Sequence, residues 1–297
     1  MAPCPALGFT LRRGSAICAP VVSMAATARM GDSALEMSAE ELDVREQVGG
    51  GGFSLVYKAL YHGAPVAVKK WFDPRNTEDM LRDFREEVEI CKDMRHPNVV
   101  QVLGACTLPP NLFIAFEYVP TTLHGVLHET SMEIDKKRVV GFMLDALRAF
   151  RYLHSRKPPI THRDVKPANF LVTRSWTVKL CDFGLASGSK APTAGTPAYM
   201  APELHAGETN YTTAVDIYAL GVMLCEMICR AVPFDGLSPP DIRSAVLAGE
   251  RPRVALSCPR AFKACFEQAW DEEPSKRPDA AAFFEAVKGL PTQSAAV

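Results

Sequence analysis

The sequence predicts an α+β fold in two lobes, the first rich in strands and the second in helices. Between Leu42 and Val119, short runs carry the alternating or compact apolar pattern of strands, around one amphipathic helical stretch. After Thr121, apolar residues recur at spacings of three and four over longer segments. No internal repeat is visible.

In chain order, LDVREQV alternates from Leu42, SLVYKALY resumes after four glycines, and PVAVKKW follows a turn at His62-Gly63-Ala64. The three read as an antiparallel meander. A helix is expected from about Thr77 to Met94, with Met80, Leu81, Phe84, Val88 and Cys91 at helical spacing. VVQVLGAC and NLFIAFEYV read as two further strands. Next come a long helix from about Ile134 to His154 and short strands at FLV and TVKL. AVDIYALGVMLCEMIC, Ala214 to Cys229, is apolar all round and reads as a buried helix. Further helices are expected around Pro240 to Leu247, Pro259 to Trp270 and Asp279 to Leu290.

At 297 residues, 47% hydrophobic and 23% charged, the chain can bury a full-sized core. Its 33 basic residues balance 34 acidic ones, so no global field steers it toward nucleic acid or an anionic membrane. Any phosphate recognition must be local. Asp216 and Glu226 interrupt the longest apolar stretch, which falls short of the roughly 20 residues of a membrane span. Nine cysteines with no CxxC pair and no His at ligand spacing read as reduced thiols. Cys181 among them reads as a small buried hydrophobe, the alternative being a reactive thiol beside the chemistry. Residues 1–31 carry Arg12, Arg13 and Arg29 and no acidic residue. Residues 1–41 are therefore expected to be a disordered tail or a transit peptide. The expected location is the cytoplasm, with an organelle reached through residues 1–31 as the alternative. One domain is expected over residues 42–290, with lobes at 42–118 and 122–290, and a short tail at 291–297.

The stretch VGGGGFSLV is a weak signal alone and gains meaning from the residues downstream; strands on both sides argue against a flexible linker. A Walker loop needs Lys and then Ser or Thr after its last glycine, but Phe53 and Ser54 follow Gly52. A dinucleotide fingerprint runs into a helix, whereas SLVYKALY has the period of a strand. A hairpin loop remains, whose glycine amides can approach a polyphosphate closely. Downstream, Ala67 and Lys69 share one face of the third strand, so that an apolar contact to a base and an ammonium for phosphates stand side by side. Glu87 on the next helix is placed to hold that lysine. In THRDVKPANFLV and CDFG, Asn169 and Asp182 offer hard oxygen ligands for Mg²⁺, and Asp164 offers a proton acceptor.

VGGGGFSLV, VAVK, HRDVKPAN, DFG and APE stand in the order and spacing of the protein kinases, and the chain resembles that family from about Leu42 to Leu290. The resemblance implies a bilobal protein kinase fold, with a small β-rich N-lobe carrying one main helix and a larger helical C-lobe. It implies ATP and Mg²⁺ as cofactors. Val48, Gly49, Gly50, Gly51, Gly52, Phe53, Ser54 and Val56 would form the flap over ATP, Gly49 and Gly51 lining the phosphates. Ala67 would meet the base, Phe116 would be the gatekeeper, and Glu117 to Val119 would be the hinge. Lys69 would contact the α and β phosphates while paired with Glu87. Asp164 would orient or accept the proton of the substrate hydroxyl, Lys166 would balance charge on the phosphoryl group, and Asn169 and Asp182 would hold magnesium. Glu203 would pair with Arg277, and Asp216 would brace the catalytic loop. One departure is Ser54, which stands where the flap has its third glycine.

Lys166 in KPAN and Thr196 in GTPAYM resemble the serine/threonine kinases. KPPITHRDVKPANFLV and AWDEEPSKRPD resemble the tyrosine-kinase-like group, which includes the Raf-like and mixed-lineage kinases. The implied function is transfer of the γ-phosphate of Mg-ATP to Ser or Thr of protein substrates. The alternatives are a nucleotide-binding scaffold without catalysis, dual specificity and a small-molecule kinase. An upstream kinase acting on Ser187, Ser189 or Thr193 would make a phosphate for Arg163 to clamp; the alternative is a segment short enough to be ordered without phosphorylation. Thr196 is expected to contact the catalytic loop and peptide.

Overall fold

The computed structural model describes residues 35–50, 54–72, 78–186 and 190–292. Gly51, Gly52, Phe53, Ser187, Ser189 and the leader-like residues 1–31 lie outside them. Strands β1 (Leu42–Gly50), β2 (Ser54–Tyr61) and β3 (Ala64–Trp71) form the expected meander. His62 and Gly63 both have positive φ at its second turn, as a type I′ hairpin turn requires. Helix α1 (Glu78–Lys92) follows, then β4 (Val102–Cys106) and β5 (Phe113–Glu117). The sheet order is β1-β2-β3-β5-β4, all antiparallel.

β4 would be an open edge, but residues 35–37 lie along its outer side. Ala105 N donates to Leu35 O at 2.7 Å and Met37 N to Ala105 O at 2.9 Å. The strap sits over Gly104, where an added Cβ would come within 2.7 Å of Met37 Cε. A 3₁₀ turn at Ala39–Glu41 follows, closed by reciprocal bonds between Ser38 and Glu41. The sequence reading placed residues 35–41 in the tail; here they pack on the sheet.

The second lobe opens with β6 (Thr121–Thr122) and a π-helical turn at Gly125–Glu129, neither of them expected from the sequence. Helix α2 (Lys136–His154) is started by Asp135, which accepts from Arg138 N. β7 (Phe170–Val172) and β8 (Val178–Leu180) complete a small sheet with β6. Then come α3 (Pro202–Ala206), α4 (Ala214–Cys229), α5 (Pro239–Leu247), α6 (Arg260–Ala269) and α7 (Ala280–Lys288).

Every residue of α4 from Val215 to Met227 is buried. Gly221 lets α6 approach closely, since a Cβ there would meet Ala269 Cβ at 2.9 Å. The core is continuous from Phe84 of α1 through Phe150 of α2 to Phe283 of α7. A smaller cluster, with Val66, Val68 and Phe113, fills the outer face of the first sheet. The lobes are stitched beside the cleft, where Leu180 N donates to Asn98 O at 2.8 Å and Val100 N to Leu180 O at 2.9 Å.

Candidate active site

Strand alternation sets the upper wall. Val66 and Val68 enter the outer cluster, so Ala67 and Lys69 must face the cleft. Helix α1 buries Met80, Phe84, Val88 and Cys91, and Glu87 on the same face is only 4% exposed. Lys69 Nζ reaches Glu87 Oε1 at 2.7 Å and Asp182 Oδ1 at 2.8 Å. Burial alone would drive the ammonium toward neutrality, but the two carboxylates outweigh it and raise its pKa. Burial also pushes Asp182 up, yet the charge and hydrogen bond of Lys69 prevail and hold it at about 2. Glu87 is raised by burial, which Lys69 only partly offsets while Asp182 adds to it. One ammonium thus faces two carboxylates, a local excess of negative charge that suits a cation.

The lower wall is held by one carboxylate. Asp216, fully buried in α4, accepts from His162 N and Arg163 N at 2.9 Å each and lies 3.0 Å from His154 Nε2. Arg163 has a φ of 67° and Asp182 of 64°, conformations that non-glycine residues hold only when their surroundings impose them. His162 joins the two: its Nδ1 accepts from Asp164 N, its Nε2 lies 3.2 Å from Cys181 O, and its ring meets that of Phe183 edge-on. Cys181 is half-buried and lines the cleft, where the sequence reading expects a buried hydrophobe, and burial of its thiol raises its pKa.

Asp164 Oδ1 accepts from Thr196 Oγ1 at 2.7 Å, while Oδ2 receives Lys166 Nζ and Asn169 Nδ2, both at 2.8 Å. Lys166 also donates to Thr196 Oγ1 at 2.7 Å. Because Asn169 Nδ2 points at Asp164, its amide oxygen is left for another partner. Gly184 keeps this end open: a Cβ there would lie 3.3 Å from both Asp182 Oδ1 and Glu87 Oε2.

Between the walls is a cleft of about 560 Å³, within the range of small-molecule sites. Of the residues singled out from the sequence, Val48, Gly49, Gly50, Ser54, Val56, Ala67, Lys69, Glu87, Phe116, Glu117, Val119, Lys166, Asn169 and Asp182 line it. Val100, Thr122, Ala168 and Leu171 line it too and went unnoticed. Leu171 was legible: Phe170 and Val172 are buried beneath it, so alternation turns Leu171 to the cleft. The slot is apolar along its length and charged at one end, which suits a flat base carrying phosphates.

Arg163 does not wait for a phosphate in this structure. Its guanidinium donates to the backbone carbonyls of Leu185 at 2.7 Å and Lys190 at 3.1 Å. Thr193 is exposed. Lys190 forms an ion pair with Asp83 of α1, a contact the sequence did not suggest. Away from the cleft, Arg277 meets both carboxylate oxygens of Glu203, at 2.7 and 2.9 Å.

A family model of the protein kinase domain matches residues 42–287. The chain belongs to the protein kinase family. Among its curated relatives, the probable serine/threonine-protein kinase SIS8 of Arabidopsis thaliana is 37% identical over 259 residues, covering 84% of this chain and 25% of the relative. The serine/threonine-protein kinase CTR1 of the same plant is 37% identical over 261 residues, with 84% and 32% covered. The probable serine/threonine-protein kinase drkA of Dictyostelium discoideum is 34% identical over 249 residues, with 82% and 39% covered. These relatives are of the Raf-like, tyrosine-kinase-like group, in agreement with the sequence reading. The kinase chain spans between a quarter and two fifths of their length. Among the described residues, no helix is long and apolar enough to cross a membrane.

Proposed function

We propose that this kinase domain, residues 42–290, transfers the γ-phosphate of Mg-ATP to serine or threonine hydroxyls of proteins. The observation that carries the reading is the closed hydrogen-bond ring of Asp164, Lys166 and Thr196, facing the Lys69–Glu87–Asp182 cluster across one cleft. Bound Mg-ATP would supply the electrophilic phosphoryl group and neutralise its charge. The Asn169 amide oxygen and the Asp182 carboxylate are the hard donors placed to hold the metal. Lys69 binds phosphate oxygens, and Asp164 orients the incoming hydroxyl and takes its proton. Lys166, already beside Asp164, balances charge where the phosphoryl group passes. Thr196 fixes Asp164 from the side on which a peptide lies.

Arg163 would exchange its carbonyl partners for a phosphate on Thr193, Ser187 or Ser189 if an upstream kinase acts there. The cytoplasm is the proposed location, and a fluorescent fusion of residues 1–31 that enters an organelle would overturn it.

The deciding experiment is transfer of labelled γ-phosphate to a degenerate Ser/Thr/Tyr peptide library, with Asp164→Asn as the control. Activity on Ser and Thr that falls by on the order of 10²–10⁴-fold in the variant is expected. No transfer by the native chain, even after its activation segment is phosphorylated, would favour a nucleotide-binding scaffold.

A further inference from the structure

Outside the cleft, three side chains with metal-binding chemistry converge behind Tyr199. His124 and His128 stand four residues apart in the turn that runs through the π-helical segment, and Glu226 reaches them from α4. One ligand atom from each lies within 4.8 Å of the other two. His128 Nε2 is 2.8 Å from Glu226 Oε1, while Tyr199 Oη donates to Oε2 at 2.7 Å. The two imidazole rings are 4.9 Å apart. Glu226 is buried but both histidines are partly open to solvent, which gives an ion a way in. Among the described residues, the ring of His124 has no hydrogen-bond partner.

We propose that His124, His128 and Glu226 form a Zn²⁺ site, independent of phosphoryl transfer. Two imidazoles and a carboxylate are a donor set that Zn²⁺ accepts, with a fourth position left for water. Paired histidines four residues apart on one helical face are a known way of presenting zinc ligands. Here Gly125 follows the first histidine, where the hydrolytic motif carries its glutamate base. The site therefore holds zinc without using it for hydrolysis. Metal bonds of about 2.0–2.2 Å separate tetrahedral ligand atoms by roughly 3.3 Å. His128 and Glu226 would part by about half an ångström while His124 closes in, a side-chain adjustment. The ion would tie the π-helical turn to α4 and leave Oε2 of Glu226 to Tyr199.

The test is calorimetric titration of the chelator-treated full chain with ZnCl2, together with its melting temperature. Cys225 and Cys229 have sulfurs 3.9 Å apart and Cys258 is close by, so the titration is repeated in Cys229→Ala/Cys258→Ala. One equivalent of zinc is expected, with a higher melting temperature, in both proteins. His124→Ala, which removes a partly exposed side chain, should weaken binding at least about 100-fold, the upper end of what losing an outer partner of a ligand costs. Co²⁺ in its place should show tetrahedral bands without thiolate charge transfer. Absence of stoichiometric zinc binding, binding that survives His124→Ala, or binding that disappears with the cysteines would each overturn the assignment.

Discussion

Asp216 and Tyr218 sit two positions apart in α4, both without solvent exposure, and their polar atoms have opposite fates. Asp216 satisfies two backbone amides of the catalytic loop and a histidine. The Tyr218 hydroxyl has no partner among the described residues, and the guanidinium groups of Arg251 and Arg277 lie 5.3 and 5.1 Å from its ring centre. Burial raises its pKa to about 12, so it stays neutral. Asp216→Asn removes one acceptor from a buried site and is expected to cost about 1–3 kcal/mol, read as a lower urea midpoint with unchanged slope. Tyr218→Phe loses no bond, and its midpoint should equal or exceed that of the native chain. Asp182 makes a pH prediction. Its folded pKa of about 2 lies below its ordinary 3.8, so it favours folding above that range and the contribution disappears as pH falls through about 2. Asp182→Asn should therefore lose stability less steeply than the native chain between about pH 4 and pH 2, measured by denaturant melts across that window.

Helix α1 places Glu87 through a buried stripe, but its rotation is also fixed from outside by Asp83, one turn earlier, on Lys190. An ion pair of this partial exposure is worth about 1 kcal/mol or less. Asp83→Ala should lower kcat/KM by up to about 5-fold, and the exchanged pair Asp83→Lys with Lys190→Asp should recover part of the loss. A variant as active as the native chain would show that the buried stripe alone sets the helix. The stripe was legible from the spacing of Met80, Phe84, Val88 and Cys91; the latch was not. Its residues are 107 positions apart, and Lys190 lies in a segment without periodicity. The meander, the amphipathic helices and α4 were readable because burial of a regular element leaves a period. Thr121–Thr122 and the π-helical turn have too few residues to show one. The charged end of the cleft was readable from motifs, whereas Val100 and Ala168 carry no chemistry that would single them out.

At the scale of the molecule, the Glu203–Arg277 pair joins the end of the substrate segment to the loop before α7, with Arg277 also donating to the carbonyls of Asp271 and Ala214. Removing one partner strands a buried charge. Arg277→Ala should cost about 3–5 kcal/mol in thermal or chemical denaturation, and Arg277→Met with Glu203→Leu much less. A small loss in the single variant would mean that water reaches Glu203. The first sheet shows a different kind of dependence. Its motifs begin at Leu42, yet its last strand is covered by Leu35 to Met37. A chain trimmed to start at Leu42 would retain every residue proposed for phosphate transfer while presenting bare amides and carbonyls along β4. Its defect would be colloidal, not enzymatic: at high concentration the bare β4 of one copy would pair with the bare β4 of another.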